Sequence, residues 1–178
     1  MNYSSIPHYY NGIRFDSQLE LKFALLIEHN FVYAAHPKEF FQKDLETGKI
    51  ILTPEIHSYK PDFYIRSLKD NIASYIEIKP SPRFEKSKEL RLSIMTENLA
   101  QSDTDFKWIF EDQIVLPNDQ YEKLKMLIAN QSLERKFYNL ANKFYRNLYK
   151  YPFNLIKGWS FQEYKSFLHE GTYPFREE

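Results

Sequence analysis

Tyr59-Lys60-Pro61-Asp62-Phe63-Tyr64-Ile65, followed after a polar break by Ser74-Tyr75-Ile76-Glu77-Ile78-Lys79-Pro80, is the stretch that decides how this chain folds. Both runs are rich in β-branched and aromatic residues, and Lys69-Asp70-Asn71 between them is turn material, so the pair reads as a β-hairpin. Opposed residues of an antiparallel pair have position numbers with a constant sum. A turn at 69–71 sets that sum at about 140, which places Asp62 across from Glu77 or Ile78. Alternation then puts Glu77 and Lys79 on one face and Ile76 and Ile78 on the other. Two carboxylates and an ammonium meet at one end of an otherwise apolar or aromatic hairpin. Such a set can bind a divalent ion and act on a phosphodiester; it can equally form an exposed cross-strand salt bridge.

Working outward separates this Glu-x-Lys from its copies. The pattern also occurs at Glu20-Leu21-Lys22, Glu134-Arg135-Lys136 and Glu163-Tyr164-Lys165, all in stretches that read as helix. Only Glu77-Ile78-Lys79 ends a strand-like run and follows a Pro-Asp at hairpin distance. Upstream, the segment from Gly12 to Glu28 reads as the start of a strong helix, with Leu19, Phe23, Leu26 and Ile27 as its buried stripe. Glu20 lies in the first turn beside that stripe. Ser17-Gln18-Leu19-Glu20 also has the form of a capping box, which gives Glu20 a structural use with or without an ion. Downstream, Glu85 to Leu99 reads as a second helix. Leu90, Ile94 and Leu99 are expected inward, with Lys86, Lys88, Glu89, Arg91 and Glu97 mostly outward. Phe106-Lys107-Trp108-Ile109-Phe110 reads as a buried strand.

Pro61-Asp62 with Glu77-Ile78-Lys79, in this order of helix, strands, helix and strand, resembles the PD-(D/E)xK nuclease superfamily. The run from Tyr75 to Pro80, the charged helix and the stretch Phe106 to Ile114 are similar to the TnsA endonucleases, the strand-cutting subunits of heteromeric transposases. That similarity spans about residues 12 to 116 and rests on Glu20, Asp62, Lys79 and the elements after Lys79. It departs at Glu77, where TnsA proteins can carry Gln. Phage endonuclease I and phage head-completion nucleases present similar Pro-Asp-Phe and Glu-Ile-Lys-Pro strings.

The resemblance implies an α/β, restriction-endonuclease-like fold, a mixed sheet flanked by helices in α-β-β-β-α-β order, with a helical C-terminal extension. It implies an Mg²⁺-dependent endodeoxyribonuclease, with Mn²⁺ as the alternative ion and one or two ions bound. In that reading Asp62, Glu77 and the carbonyl of Ile78 hold the ion, Glu20 completes the site, and Lys79 orients water and stabilises the transition state. Partners would be DNA, with transposase and ATPase subunits or phage proteins, and a homodimer is compatible. Two rivals remain: a non-catalytic DNA-binding subunit with this fold, and an α+β interaction protein whose charged hairpin is coincidental.

The 178 residues include no cysteine, which excludes disulfides, thiolate metal sites and cysteine nucleophiles. No phosphate-binding glycine loop is present, and only four glycines occur. His8, His29, His36, His57 and His169 show no zinc-ligand spacing and read as surface or packing residues. No apolar run is long enough to span a bilayer and no signal-peptide pattern opens the chain, so a cytoplasmic location is expected.

Net charge is zero, but unevenly distributed. A nuclease core at 1–118 would carry 14 Lys and Arg against 17 Asp and Glu. The remainder, 119–178, carries 10 against 7 and reads as a basic, aromatic-rich helical extension. There Leu133, Phe137, Leu140, Phe144 and Leu148 form one apolar helical face. Lys136, Lys143, Arg146 and Lys150 decorate other faces as candidate DNA contacts, since an acidic ion site needs its phosphate-binding cations nearby. Ser160 to Glu163 is a second capping box and Gly171 a helix stop.

Overall fold

The computed structural model describes residues 6–51, 57–80, 85–145 and 159–174. Its centre is a four-stranded mixed sheet built from β3 (Phe31–Ala35), β6 (Phe63–Ser67), β7 (Ala73–Lys79) and β8 (Asp105–Phe110), in the order β3-β6-β7-β8. The first two pairings are antiparallel and the last is parallel, while β4 (Phe40–Phe41) and β5 (Ser58–Tyr59) pair with each other outside this sheet. The hairpin register pairs Phe63 with Ile76 and Tyr64 with Tyr75, so Asp62, one step earlier, falls across from Glu77 as the turn position implied.

Alternation gives the sheet two apolar faces. Ile76, Ile78, Phe63, Ile65 and Tyr33 pack against α1 (Gln18–Ile27) and Leu124 of α3 (Asn118–Ala129). Val32, Ala34, Tyr64 and Tyr75 pack against Ile94 and Met95 of α2 (Glu85–Leu99) and Tyr164, Phe167 and Leu168 of α5 (Phe161–Glu170). Both faces of the sheet are thus covered by helices. Helices α3 and α5, from the C-terminal third, pack directly on this sheet. Helix α5 has the expected ends: the Ser160–Glu163 capping box forms, and Gly171 closes it at φ +72°. Among the described residues no helix is long and apolar enough to cross a membrane.

Four expectations change. Residues 12–15 are not helical: β1 (His8–Tyr10) and β2 (Ile13–Phe15) form a hairpin, and α1 starts at Gln18 behind the Ser17 cap, where the capping pattern put it. Asn11 and Gly12 both take positive φ, the requirement of a tight two-residue hairpin turn. Strand β8, expected buried, is exposed or only half-buried along its length. In α2 the inward row is Arg91, Ile94, Met95 and Asn98; Leu90 is 37% exposed. Ile94 and Leu99 are inward as expected, but that row is polar at both ends, where Arg91 meets Glu77 and Asn98 donates to the Phe41 carbonyl, so apolar periodicity misses Arg91 and overreaches at Leu90.

The fourth change concerns α4 (Gln131–Tyr145), in which Leu133, Phe137 and Leu140 are exposed instead of buried. The helix lies on β1 through another face: Gln131 bonds both the N–H and the carbonyl of Tyr9, and the Tyr138 ring packs on the Tyr9 ring. Phe144 and Leu148 of the expected stripe carry no described side chain.

Candidate metal centre

The lengths of the elements bring the site residues to one end of the sheet. Helix α1 rises about 15 Å over its ten residues. Strand β3 runs back about 17 Å over five. The first turn of α1 therefore stands level with the end of β3. Strand β6 begins at that end and β7 finishes there, because each is antiparallel to its neighbour. Four segments distant in sequence converge: Glu20 from α1, His36 just past β3, Asp62 just before β6, and Glu77 with Lys79 from the end of β7.

Glu20, His36 and Asp62 each offer a ligand atom, and these atoms lie within 4.8 Å of one another. Glu20 is also a cap, though not a simple capping box. Its carboxylate accepts from the Asp16 N–H at 3.0 Å and the Ser17 hydroxyl at 2.9 Å, while its own N–H donates to Ser17 Oγ. His36 is fixed by its N–H, which donates to the Asp62 carbonyl at 2.7 Å. Its Nε2 has no hydrogen-bond partner, although Glu20 Oε2 lies 3.4 Å away and Asp16 Oδ2 3.8 Å away. Asp62 accepts from the Ile78 N–H at 2.7 Å through Oδ2.

Charge crowding follows from this geometry. Burial, then the fields of Glu77 and Glu20, holds the Asp62 carboxyl well above the carboxylate range, and the Ile78 N–H and Lys79 only partly offset this. Burial, opposed by the bonds from Asp16 and Ser17, pushes Glu20 up to about 7. Burial pulls His36 below its ordinary value, so its ring is neutral near pH 7 and free to donate a lone pair. A buried group of carboxylates that resist ionising, facing an unpaired imidazole nitrogen, suits a divalent cation. The mixed nitrogen and oxygen donor set is compatible with Mn²⁺ as well as Mg²⁺.

Glu77 sits differently. It is 2% exposed and lies among cations. Oε1 contacts the Lys79 ammonium and takes Arg91 Nη1 at 2.6 Å, while Oε2 accepts the Tyr59 hydroxyl.

Comparison of the chain with protein-family models, curated proteins and solved structures returns no significant match. What the site can do follows from its own geometry.

Of the residues expected at the site, Glu20 and Asp62 stand together, while Lys79 pairs with Glu77 and reaches Asp62 through its charge. Ile78 contributes its N–H to Asp62. Glu77 is outside the Glu20–His36–Asp62 group. Lys136 and Lys143 are exposed on α4, while Arg146 and Lys150 lie outside the described residues. His36 and Arg91 are the two members that sequence reasoning placed elsewhere. His36 has no motif spacing to mark it; its only signal is that it follows an apolar strand, opposite Pro-Asp in the β3–β6 pairing. Tyr59, read as strand packing, also bonds Glu77.

Proposed function

We propose that this chain is a metal-dependent endonuclease of the PD-(D/E)xK kind, hydrolysing phosphodiester bonds in DNA. The observation that carries the reading is the Glu20–His36–Asp62 cluster, with Lys79 at the end of β7 acting on Asp62 through its charge. A divalent ion held by those three residues would supply Lewis-acid polarisation of the phosphate and a lowered pKa for water bound to it.

The chain's own residues do the rest. Asp62 and Glu20 carry the negative charge that holds the ion, and the Ile78 N–H fixes the Asp62 carboxylate in place. His36 adds an uncharged ligand, so the site is less anionic than one of three carboxylates. Lys79, 20% exposed, presents its ammonium where charge develops on the phosphate oxygens. A TnsA-like role in mobile-element DNA processing, or a phage counterpart, is supported by the sequence resemblance alone.

The test is nicking of supercoiled plasmid with Mg²⁺ or Mn²⁺. Lys79→Ala is expected to abolish cutting while leaving ion binding by calorimetry in place, because the lysine ligates nothing. Asp62→Asn is expected to lose both. A Lys79→Ala protein that cuts like the parent rules the reading out. Salt-sensitive DNA binding with no cutting by the parent would point to the non-catalytic subunit instead.

A further inference from the structure

We infer that Arg91 forms a phosphate clamp with Lys79, and that Glu77 positions these two cations and is not itself an ion ligand. The inference rests on the nuclease reading above and concerns how the same site takes hold of the backbone.

Glu77 already has three partners. A carboxylate offers about four lone-pair positions. Here Lys79, Arg91 and Tyr59 occupy three of them. Ligation by Glu77 would require dislodging two cations from a nearly inaccessible carboxylate. Meanwhile Glu20, His36 and Asp62 form a ligand group without it. Sharing Oε1 fixes the Lys79 and Arg91 heads side by side, and the trio keeps a net positive charge beside the ion site.

Arg91 is built for more than neutralising Glu77, which Lys79 alone would do. Its guanidinium lies over the Tyr59 ring, 5.3 Å from the centroid, so a cation–π contact holds the head in place as well as the ion pair. Only Nη1 is used; among the described residues no acceptor takes the other guanidinium N–H groups. The side chain is 31% exposed, so that end of the fork is open to an incoming group. Planar, paired donors match two oxygens of one phosphate, a geometry an ammonium cannot supply. Arg91 also occupies the inward row of α2 with Ile94 and Met95, where packing by itself would favour an apolar side chain.

The experiment uses the full chain with Arg91→Met, Arg91→Lys and Glu77→Gln. Mn²⁺ binding is measured by calorimetry, duplex DNA binding with Ca²⁺ across a salt series, and cleavage as kcat and KM. Both arginine variants and Glu77→Gln should keep Mn²⁺ affinity within about tenfold, the range of an indirect effect. Arg91→Met should lower kcat about 100-fold. It should also lower the log–log salt slope by about 0.9. Arg91→Lys should restore the slope but not kcat, because it returns the charge without the fork. If Arg91→Met is poorly folded, Arg91→Lys carries the test alone: kcat lost with the thermal melt unchanged.

Loss of Mn²⁺ binding in Glu77→Gln to the extent seen for Asp62→Asn would make Glu77 a ligand and overturn the inference. Unchanged kcat and slope in Arg91→Met would reduce the arginine to a structural ion-pair partner. A parent chain that neither binds Mn²⁺ nor cuts overturns the nuclease reading itself, a result distinguishable from both.

Discussion

His36 takes φ +48°, in the left-handed region that few non-glycine residues enter and that Asn, Asp and His enter most often, and its N–H is tied to the Asp62 carbonyl. A non-glycine residue held there next to carboxylates, with an unpaired ring nitrogen, is placed for its side chain and not for the backbone. His36→Asn is therefore expected to tolerate the backbone and lose the ligand. Mn²⁺ affinity should drop more than about tenfold with the melting temperature of the ion-free protein unchanged or raised. Calorimetry and a thermal melt of the same preparation read both. pH gives a second prediction. Glu20 ionises near 7 when folded against an ordinary 4.5, and Asp62 is raised as well. The unfolded chain releases these protons first, so the ion-free protein loses stability as pH rises from 4.5 towards 7. His36, depressed below 6.5, acts in the opposite sense between its folded value and 6.5, one imidazole against two carboxyls. A divalent ion must displace the carboxyl protons, so its affinity climbs with pH. The rise in melting temperature caused by Mn²⁺ should be larger at about pH 7.5 than at about pH 5.5. Equal rises at the two pH values would take Glu20 out of the ligand set. At this scale the convergence of Glu20 and Asp62, and the Glu77–Lys79 pair beside them at the end of β7, was legible, because hairpin spacing and a helix cap are local patterns. Glu77, expected as an ion ligand, lies outside the Glu20–His36–Asp62 group. The sequence did not disclose His36 or Arg91, which reach the site only through strand pairing and helix packing.

Elements were legible where one local signal dominated. The β6–β7 hairpin, the bounds of α2 and the caps of α5 follow from turn residues, alternation and the Ser160–Glu163 pair. The β1–β2 hairpin was hidden by the helical periodicity that begins just after it, although Asn11-Gly12 carries the turn chemistry in plain view. Gly12→Ala tests that turn: with φ +75°, and an added Cβ meeting Ala141 Cβ at 3.3 Å, it should cost about 1–2 kcal/mol in a denaturant titration. The facing of α2 was legible at Ile94 and Leu99 and missed at Leu90 and Arg91, because the inward row has polar ends at Arg91 and Asn98. Ile94→Ala should therefore cost about 2–5 kcal/mol. Leu90→Ala should stay within about 0.5 kcal/mol. Similar costs for the two would put Leu90 in the buried row beside Ile94. In α4 the same kind of error has another cause: its partner β1 takes Gln131 and Tyr138, so hydrogen bonds and ring contact decide the facing and leave Leu133, Phe137 and Leu140 outside.

Across the whole molecule, the mixed sheet with helices on both faces was legible from the order of its elements. The attachment of the C-terminal third was not, since α3 and α5 settle on opposite faces of the sheet and no local pattern specifies which. Charge follows a global logic as well. The acidic carboxylates gather at one sheet end, while Lys136 and Lys143 stand exposed on α4. If that helix touches a nucleic-acid backbone, Lys136→Gln with Lys143→Gln should lower the log–log salt slope of DNA binding by about 0.9 per lost contact, equally for all sequences. An unchanged slope in the double variant would leave the α4 lysines as solvated charges. Lys22 and Lys165, which end helical copies of Glu-x-Lys, serve as substitution controls for Lys79.

Because Glu20, His36 and Asp62 come from separate segments, an ion bridging them acts as a removable staple across the chain. The isolated 58–80 hairpin lacks two of the three ligands and should be blind to the metal. The intact protein should resist proteolysis in proportion to ion occupancy, gaining about 2.7 kcal/mol when free ion stands at about 100 times the Kd. Chelation would then loosen the first helix, the β3 end and the hairpin together.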